Sequence, residues 1–115
     1  DALGDIMIYG LGLCAMFDFD ADRVICQSPW YADKPKDISK HLIYVGSAVG
    51  MLAKCFKKSN KVDVSRIDRV DEFRAGIGNL LGYCRDGLGL VGEDYVSVLE
   101  KIVSDNPDRE HLGYI

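Results

Sequence analysis

Two aspartates at the beginning of this sequence have the clearest potential for chemistry. Asp1 and Asp5 stand four residues apart in the opening stretch DALGDIMIYGLGLC. If this stretch is helical, their carboxylates share one face of the helix, one turn apart. Mg²⁺ takes oxygen ligands and is typically held by one or two carboxylates together with substrate phosphates. Two carboxylates placed in this way, those of Asp1 and Asp5, can reach one magnesium ion or two adjacent ions.

The same spacing also has a simpler structural interpretation. Acidic residues stabilise the N-terminus of a helix through the helix dipole, and two aspartates four apart are a weak motif. A similar choice applies to Lys54, Lys57 and Lys58, which suit the C-terminus of a helix but could also contact phosphate. At this point both interpretations stay open for each group.

The histidines and cysteines give no comparable signal. His41 and His111 are far apart, and the sequence has no CxxC pattern, so neither a zinc site nor a cysteine nucleophile is indicated. Widely spaced cysteines are typical of reduced core residues in a cytosolic protein, which predicts a cytoplasmic location. The four are Cys14, Cys26, Cys55 and Cys84.

Length and charge exclude several classes of function. The 115 residues fit a single domain spanning 1–115. A net charge of −4 argues against a general nucleic-acid-binding protein, because such a protein needs a basic surface. We identify neither a signal peptide nor an apolar run of about 18 residues, so we expect no membrane association.

Hydrophobic spacing predicts an all-α fold with four main helices. No segment alternates convincingly with a period of two, as a half-buried strand would. Pro29 and Pro35 interrupt the connection after the first helix, where Trp30 and Tyr31 are expected to pin the chain onto the core. The helices are predicted over 1–17, 39–58, 64–86 and 93–104, with a short helical turn over 21–26.

Each main helix has a predicted buried face, and small residues suggest close contacts. The first helix is apolar nearly all round and is expected to lie between neighbours. Glycines at 46, 50, 76 and 78 would allow another helix to approach closely, within the chain or across a dimer. For the later helices the predicted inward residues are Leu42, Val45, Val49, Leu52 and Phe56; Ile67, Val70, Ile77, Leu81 and Cys84; and Val96, Leu99 and Val103.

The chain contains a faint internal repeat with an offset of 74 residues. Residues 75–99 can be laid over 1–25, and each segment reads as a long helix, a marked turn and the beginning of a short helix. The matching position of the turn favours a true repeat over chance. The identical pairs are Gly4 with Gly78, Tyr9 with Tyr83, Asp20 with Asp94 and Val24 with Val98.

The opening stretch with its FDFD turn resembles the all-α nucleoside triphosphate pyrophosphatases, the superfamily of MazG-like, phosphoribosyl-ATP pyrophosphohydrolase-like and dimeric dUTPase-like enzymes. In that family one helix carries EExxE and the next carries ExxD, seen as a DALGD-like string in phage-type members. Asp5 matches the final aspartate of ExxD and Asp1 the additional upstream aspartate. The glutamate position is Ala2, a departure from the pattern.

This resemblance implies a four-helix, bundle-like MazG arrangement and an Mg²⁺-dependent nucleotide pyrophosphohydrolase. Such an enzyme splits a nucleoside triphosphate into the monophosphate and pyrophosphate. Residues 1–27 would be the C-terminal half of a first unit, and its EExxE helix would lie upstream or on another chain. No catalytic residue beyond the metal ligands is indicated.

Residues 38–104 resemble a second unit that has lost its ligands. The glutamate positions of an EExxE helix read Gly46, Ser47 and Gly50, and the ExxD positions read Gly76 and Asn79. The alternative function is therefore a non-catalytic helical module for assembly or binding. Because a single unit exposes much apolar surface, a homo-oligomer, specifically a dimer, is expected in either case.

Overall fold

The computed structural model describes residues 2–58 and 70–105, and within them all side chains except those of residues 56–58 and 70. Throughout these ranges the regular structure is helical, which confirms the predicted all-α class. The five helices are α1 (Ala2–Met16), α2 (Ala21–Ile25), α3 (Ile38–Lys58), α4 (Val70–Leu90) and α5 (Tyr95–Asp105).

Helix α4 lies at the centre and contacts each of the other four helices. Of its predicted inward residues, Ile77, Leu81 and Cys84 are fully buried, which confirms that face, whereas Ile67 and the side chain of Val70 lie outside what the structure describes. In α1, Met7 and Cys14 are likewise fully buried against it. The core therefore forms where α1 and α3 pack on α4, and the short helices cover its ends.

Helices α1 and α4 end in the same kind of turn. Asp18 and Gly92, which are 74 positions apart, have φ angles of 58° and 78°. In each turn the next residue donates its N–H to the carbonyl five residues earlier, at 2.8 Å in both cases. Asp18 and Gly92 themselves donate to carbonyls three residues earlier, at 3.4 and 3.1 Å. Both turns are thus Schellman motifs, in which a left-handed residue ends a helix.

The chain then enters a new helix through an aspartate cap in both places. Asp20 accepts hydrogen bonds from the N–H groups of Asp22 and Arg23. Asp94 accepts from the N–H and the hydroxyl of Ser97, at 3.2 and 2.9 Å. Side-chain oxygens at this position satisfy N–H groups that lack a partner within the helix. The 74-residue offset therefore relates two segments with the same helix, turn and cap.

In these two segments, each long helix packs against the short helix of the other segment. Helix α1 packs against α5, and α4 packs against α2. At Gly4 a Cβ atom would lie 2.6 Å from Ile102 Cδ1 and 2.8 Å from Val98 Cγ1. At Gly78, the equivalent position, a Cβ would collide with the side chain of Gln27, just beyond α2. Each long helix thus uses its glycine to admit residues from the other segment.

The end of α4 differs from the prediction. The helix predicted over 64–86 continues beyond residue 86, and α4 ends at Leu90. At Gly87 a Cβ would lie 3.0 Å from both His41 and Leu3, so this glycine allows close packing inside a continuous helix. The helix ends instead before Gly92, where the left-handed conformation favours glycine.

The inward faces of α3 and α5 are rotated from their predicted positions. Leu42 and Val49 are 47% and 48% exposed, whereas His41, Ala48 and Cys55 are buried beside the correctly predicted Val45 and Leu52. Because α3 is apolar on two sides, spacing alone could not identify the side that faces α4.

In α5 the error has the same cause. Val96 and Val103 are exposed, while Ile102 is buried and Val98 and Leu99 are partly buried against the core. Valines and isoleucines occur all around this short helix, so the periodic signal is weak.

Candidate functional site

The structure places one of the two predicted magnesium ligands. Asp5 lies in the first turn of α1 and is half-buried. Asp1 lies outside the described residues. The position of Asp5 fits both original interpretations, because a carboxylate there meets the positive end of the helix dipole and is also a hard oxygen donor.

The described residues do not assemble a complete metal site. Among residues 2–58 and 70–105, no three His, Cys, Asp or Glu side chains gather closely enough to hold an ion. Helix α3 has no Asp or Glu at all, so it cannot contribute a carboxylate. Within these ranges Asp5 is therefore not part of a cluster of three such side chains.

Asn79 is the counterpart of Asp5 in the second segment, and it has a structural role. Its side-chain oxygen accepts a hydrogen bond from the backbone N–H of Trp30 at 3.1 Å. This bond holds the connection between α2 and α3 against α4. The position that corresponds to a ligand thus stabilises a loop.

The remaining ligand-like positions of the second segment do not face one another. A Cβ atom on Gly46 or Gly50 would meet nothing within 4 Å, so both face open space. A Cβ on Gly76 would lie 2.9 Å from Leu52 Cδ2, inside the contact between α3 and α4. The predicted close contact within the chain is present for Gly76 and Gly78, but not for the two glycines of α3.

A polar network that the sequence did not indicate also attaches the connection between α2 and α3 to α4. Tyr31 donates its hydroxyl to Asp86 Oδ2 at 2.6 Å, and Arg85 Nε donates to Asp86 Oδ1 at 3.3 Å. Arg85 Nη1 also reaches the carbonyl of Ile25 at 2.7 Å. Burial, followed by the bond to Asp86, raises the pKa of Tyr31. The adjacent residues Arg85 and Asp86 were the only sign of this network in the sequence, but such a pair is equally typical of a solvent-exposed helix surface.

The predicted anchoring by aromatic residues is correct for Tyr31 and wrong for the indole of Trp30. Tyr31 packs against Tyr44 and Tyr83, with ring centroids 5.1 and 5.2 Å apart. The Trp30 side chain is 66% exposed. Its backbone carries the attachment instead, because its carbonyl accepts a hydrogen bond from the Tyr83 hydroxyl.

His41 is the buried polar side chain of this region. It is fully buried, and its Nε2 is bonded to the carbonyl oxygen of Tyr83. Because a carbonyl only accepts, Nε2 is the donor in this bond. Nδ1 has no partner among the described residues. The ring serves to pack α3 on α4, and no nucleophile is in hydrogen-bond contact with it in the described part of the chain.

The four cysteines form no disulfide with one another, and Cys14, Cys55 and Cys84 are buried as the sequence predicts, whereas Cys26 is exposed. Burial raises the pKa of Cys84 to about 12 and also raises the pKa of Cys14. A raised pKa keeps a thiol protonated and therefore unreactive at neutral pH. Neither cysteine has the environment of a catalytic nucleophile.

We expect a single fast-reacting thiol in the folded protein. At about pH 8, dithiobisnitrobenzoate should modify exposed Cys26 quickly and the buried thiols only on unfolding. Cys26→Ser should remove the fast phase, and a fast phase that persists would contradict the buried placement of Cys14 and Cys84.

The raised thiol pKa also has a consequence for stability. Below about pH 8.5, the thiols are protonated in both states. As the pH rises towards the folded-state pKa of Cys84, about 12, the unfolded thiol ionises first and stability is lost. Urea midpoints measured at increasing alkaline pH should therefore fall.

No protein-family model, curated protein or solved structure matches the chain. Within the ranges that the structure describes, no helix is both long and apolar enough to cross a lipid bilayer. The likeness to the all-α pyrophosphatases thus rests on the sequence stretches quoted above.

Proposed function

We propose that the chain is part of an Mg²⁺-dependent nucleotide pyrophosphohydrolase that converts a nucleoside triphosphate to the monophosphate and pyrophosphate. The first segment contributes Asp5, together with Asp1, and the remaining ligands come from outside residues 2–58 and 70–105. The observation that carries this proposal is the pair Asp5 and Asn79. The two segments share their backbone design, yet only the first keeps a carboxylate at this position, while the second uses its amide to hold Trp30.

The donor type fits the proposed ion. Carboxylate oxygens are the protein ligands that Mg²⁺ uses most, and it commonly needs only one or two of them because substrate phosphates and water complete its coordination. When bound, the ion would activate water and neutralise charge on the departing pyrophosphate. Within this chain, α1 fixes Asp5, and the contacts of Gly4 with α5 hold the first turn of α1 in place.

We expect Asp5→Asn to abolish magnesium-dependent pyrophosphate release without unfolding the protein, because asparagine is close to isosteric and already occupies the equivalent position 79. The measurement is pyrophosphate release from a panel of NTPs and dNTPs, with and without Mg²⁺, together with circular dichroism. Glu100→Gln is the matched control, because it also replaces one carboxylate by an amide, at an exposed position on α5. It should keep full activity. Full activity in Asp5→Asn would refute the metal role.

A non-catalytic module for assembly is the second candidate. The observation that favours it is the use of ligand-like positions for packing: Gly76 admits Leu52, and Asn79 holds Trp30. The proposed homo-oligomer belongs to this role as well. If neither this chain nor a version extended upstream of Asp1 releases pyrophosphate from any nucleotide, with or without Mg²⁺, while both are folded, the module is favoured over the enzyme.

A further inference from the structure

The outer side of α3 is an exposed apolar surface with two notches. Ile43 is 70% exposed, and Leu42 and Val49 are each about half-exposed. Gly46 and Gly50 lie between them and face open space. These five residues, here called the α3 stripe, share one side of the helix opposite the face that packs on α4. Exposed apolar patches of this kind mark interaction sites more often than scattered residues do.

A second exposed apolar surface is formed where α4 turns into α5. Leu90 and Val91 are 40% and 52% exposed, and the next side chains are those of exposed Glu93 and Asp94. These four residues are called the α4–α5 turn. Gly92 adopts the left-handed turn conformation, and the Val91 side chain beside it is 52% exposed.

The charges of the two surfaces are complementary. Helix α3 carries four lysines and no carboxylate, whereas the α4–α5 turn presents the exposed carboxylates of Glu93 and Asp94, with Lys101 as the nearest cation in the groove lining. Complementary charges favour pairing of α3 with the turn and disfavour pairing of α3 with another α3. Lys40 and Lys54 are exposed on the helix that bears the stripe.

Both surfaces border one groove, so they lie on the same side of the molecule. The groove has a volume of about 500 Å³ and is lined by Leu42 from the α3 stripe and by Val91 and Glu93 from the turn. Leu3 of α1 and Leu88 of α4 form part of its floor. A two-fold axis through such a groove would place each surface of one molecule opposite the other surface of its partner.

We infer that this chain forms a two-fold symmetric homodimer in which the α3 stripe of each molecule binds the α4–α5 turn of the other. In each of the two equivalent contacts, Val91 of one molecule lies against the notches at Gly46 and Gly50 of its partner. Glu93 then approaches the lysine-bearing helix of the partner. This inference gives a surface to the expected homo-oligomer. It does not rest on the magnesium chemistry, because association is measured without Mg²⁺ or nucleotide.

The test is sedimentation velocity over a range of protein concentrations, with Gly50→Leu as the principal variant. Position 50 is exposed and a Cβ atom there meets nothing within 4 Å, so we expect the monomer to accommodate leucine, which also favours the helix more than glycine does. We expect the dimer dissociation constant to rise at least tenfold while the helix content is unchanged. Ala15→Leu, which adds bulk to an exposed position near the far end of α1, should leave association unchanged.

Charge reversal identifies the partner surface. Glu93→Lys should weaken the dimer to a similar extent, and raised salt should weaken the wild-type dimer. A dimer disrupted by Gly50→Leu but indifferent to Glu93→Lys would instead indicate pairing of α3 with α3 and would overturn the inference. A dimer whose dissociation constant is unchanged by Gly50→Leu would also overturn the inference. So would a wild-type protein that is monomeric at all concentrations; the α3 stripe would then be a surface for an acidic partner of another kind.

Discussion

Replacing Leu81 with alanine is expected to lower the free energy of unfolding by about 2–5 kcal/mol, because a fully buried leucine is lost from the centre of the core. Leu81 lies where α4 crosses α1, and its Cδ2 would be 2.8 Å from a Cβ on Gly10. Chemical denaturation with a constant m-value measures the loss. A change below about 0.5 kcal/mol would mean that this residue does not occupy the core.

The contact with Gly10 gives this prediction an internal control. Gly10→Ala alone should be destabilising, because its methyl group collides with Leu81. In the Leu81→Ala background the same methyl group enters the vacated space, so the two changes should couple favourably by about 0.5–3 kcal/mol. Simple additivity in the double-mutant cycle would contradict the contact between α1 and α4 at this position.

Gly82→Ala is expected to destabilise the protein by about 1–3 kcal/mol, although alanine is the better helix former. A Cβ at this position would lie 2.8–2.9 Å from three atoms of the Pro29 ring, which cannot rotate away. Gly78, one turn earlier, admits Gln27 in the same way. These two glycines form a groove on the surface of α4, and the residues that follow α2 lie in it.

Gly89→Ala is the matched control for this effect. It lies in the same helix, but a Cβ there meets nothing within 4 Å. Helix propensity alone then applies, and stability should rise by up to about 1 kcal/mol. Thermal and urea unfolding of the two variants should therefore change in opposite directions. If Gly82→Ala also stabilises, the Pro29 segment does not lie against α4 as described.

Sequence periodicity predicted the part of the fold where one side of a helix differs clearly from the other. Ile77, Leu81 and Cys84 on α4 are buried as predicted, since charged residues such as Arg74 and Arg85 occupy other sides. The repeated turn was also visible, because Asp20 and Asp94 mark the beginning of a helix by the same chemistry. Such local signals depend only on neighbouring residues.

Other features depend on contacts between distant residues and could not be predicted in this way. The orientation of α3 is decided by His41 and Ala48, which pack on α4 although neither is strongly hydrophobic. Gly87 looks like a helix terminator in sequence, but it faces His41 within α4. Trp30 would be placed in the core by its size, yet its backbone forms the contacts.

The candidate site shows the same division. The sequence indicated Asp5 by spacing and placed it correctly at the beginning of a helix. It could not show that the counterpart Asn79 had acquired a structural partner, because Trp30 lies 49 residues away. Nor could it show that Gly46 and Gly50 face away from α4, since that follows from the orientation of α3.

The contact of Gly4 with Ile102 joins the first and last helices of the described chain. Closing so long a loop costs conformational entropy, so we expect this contact to form after the pairing of α3 with α4 has reduced the freedom of the chain. Once formed, it ties the two ends to each other, because separating α5 also removes the cover from α1. We therefore expect the first turn of α1 and the part of α5 around Ile102 to open together, so their backbone amides should share one free energy of hydrogen exchange.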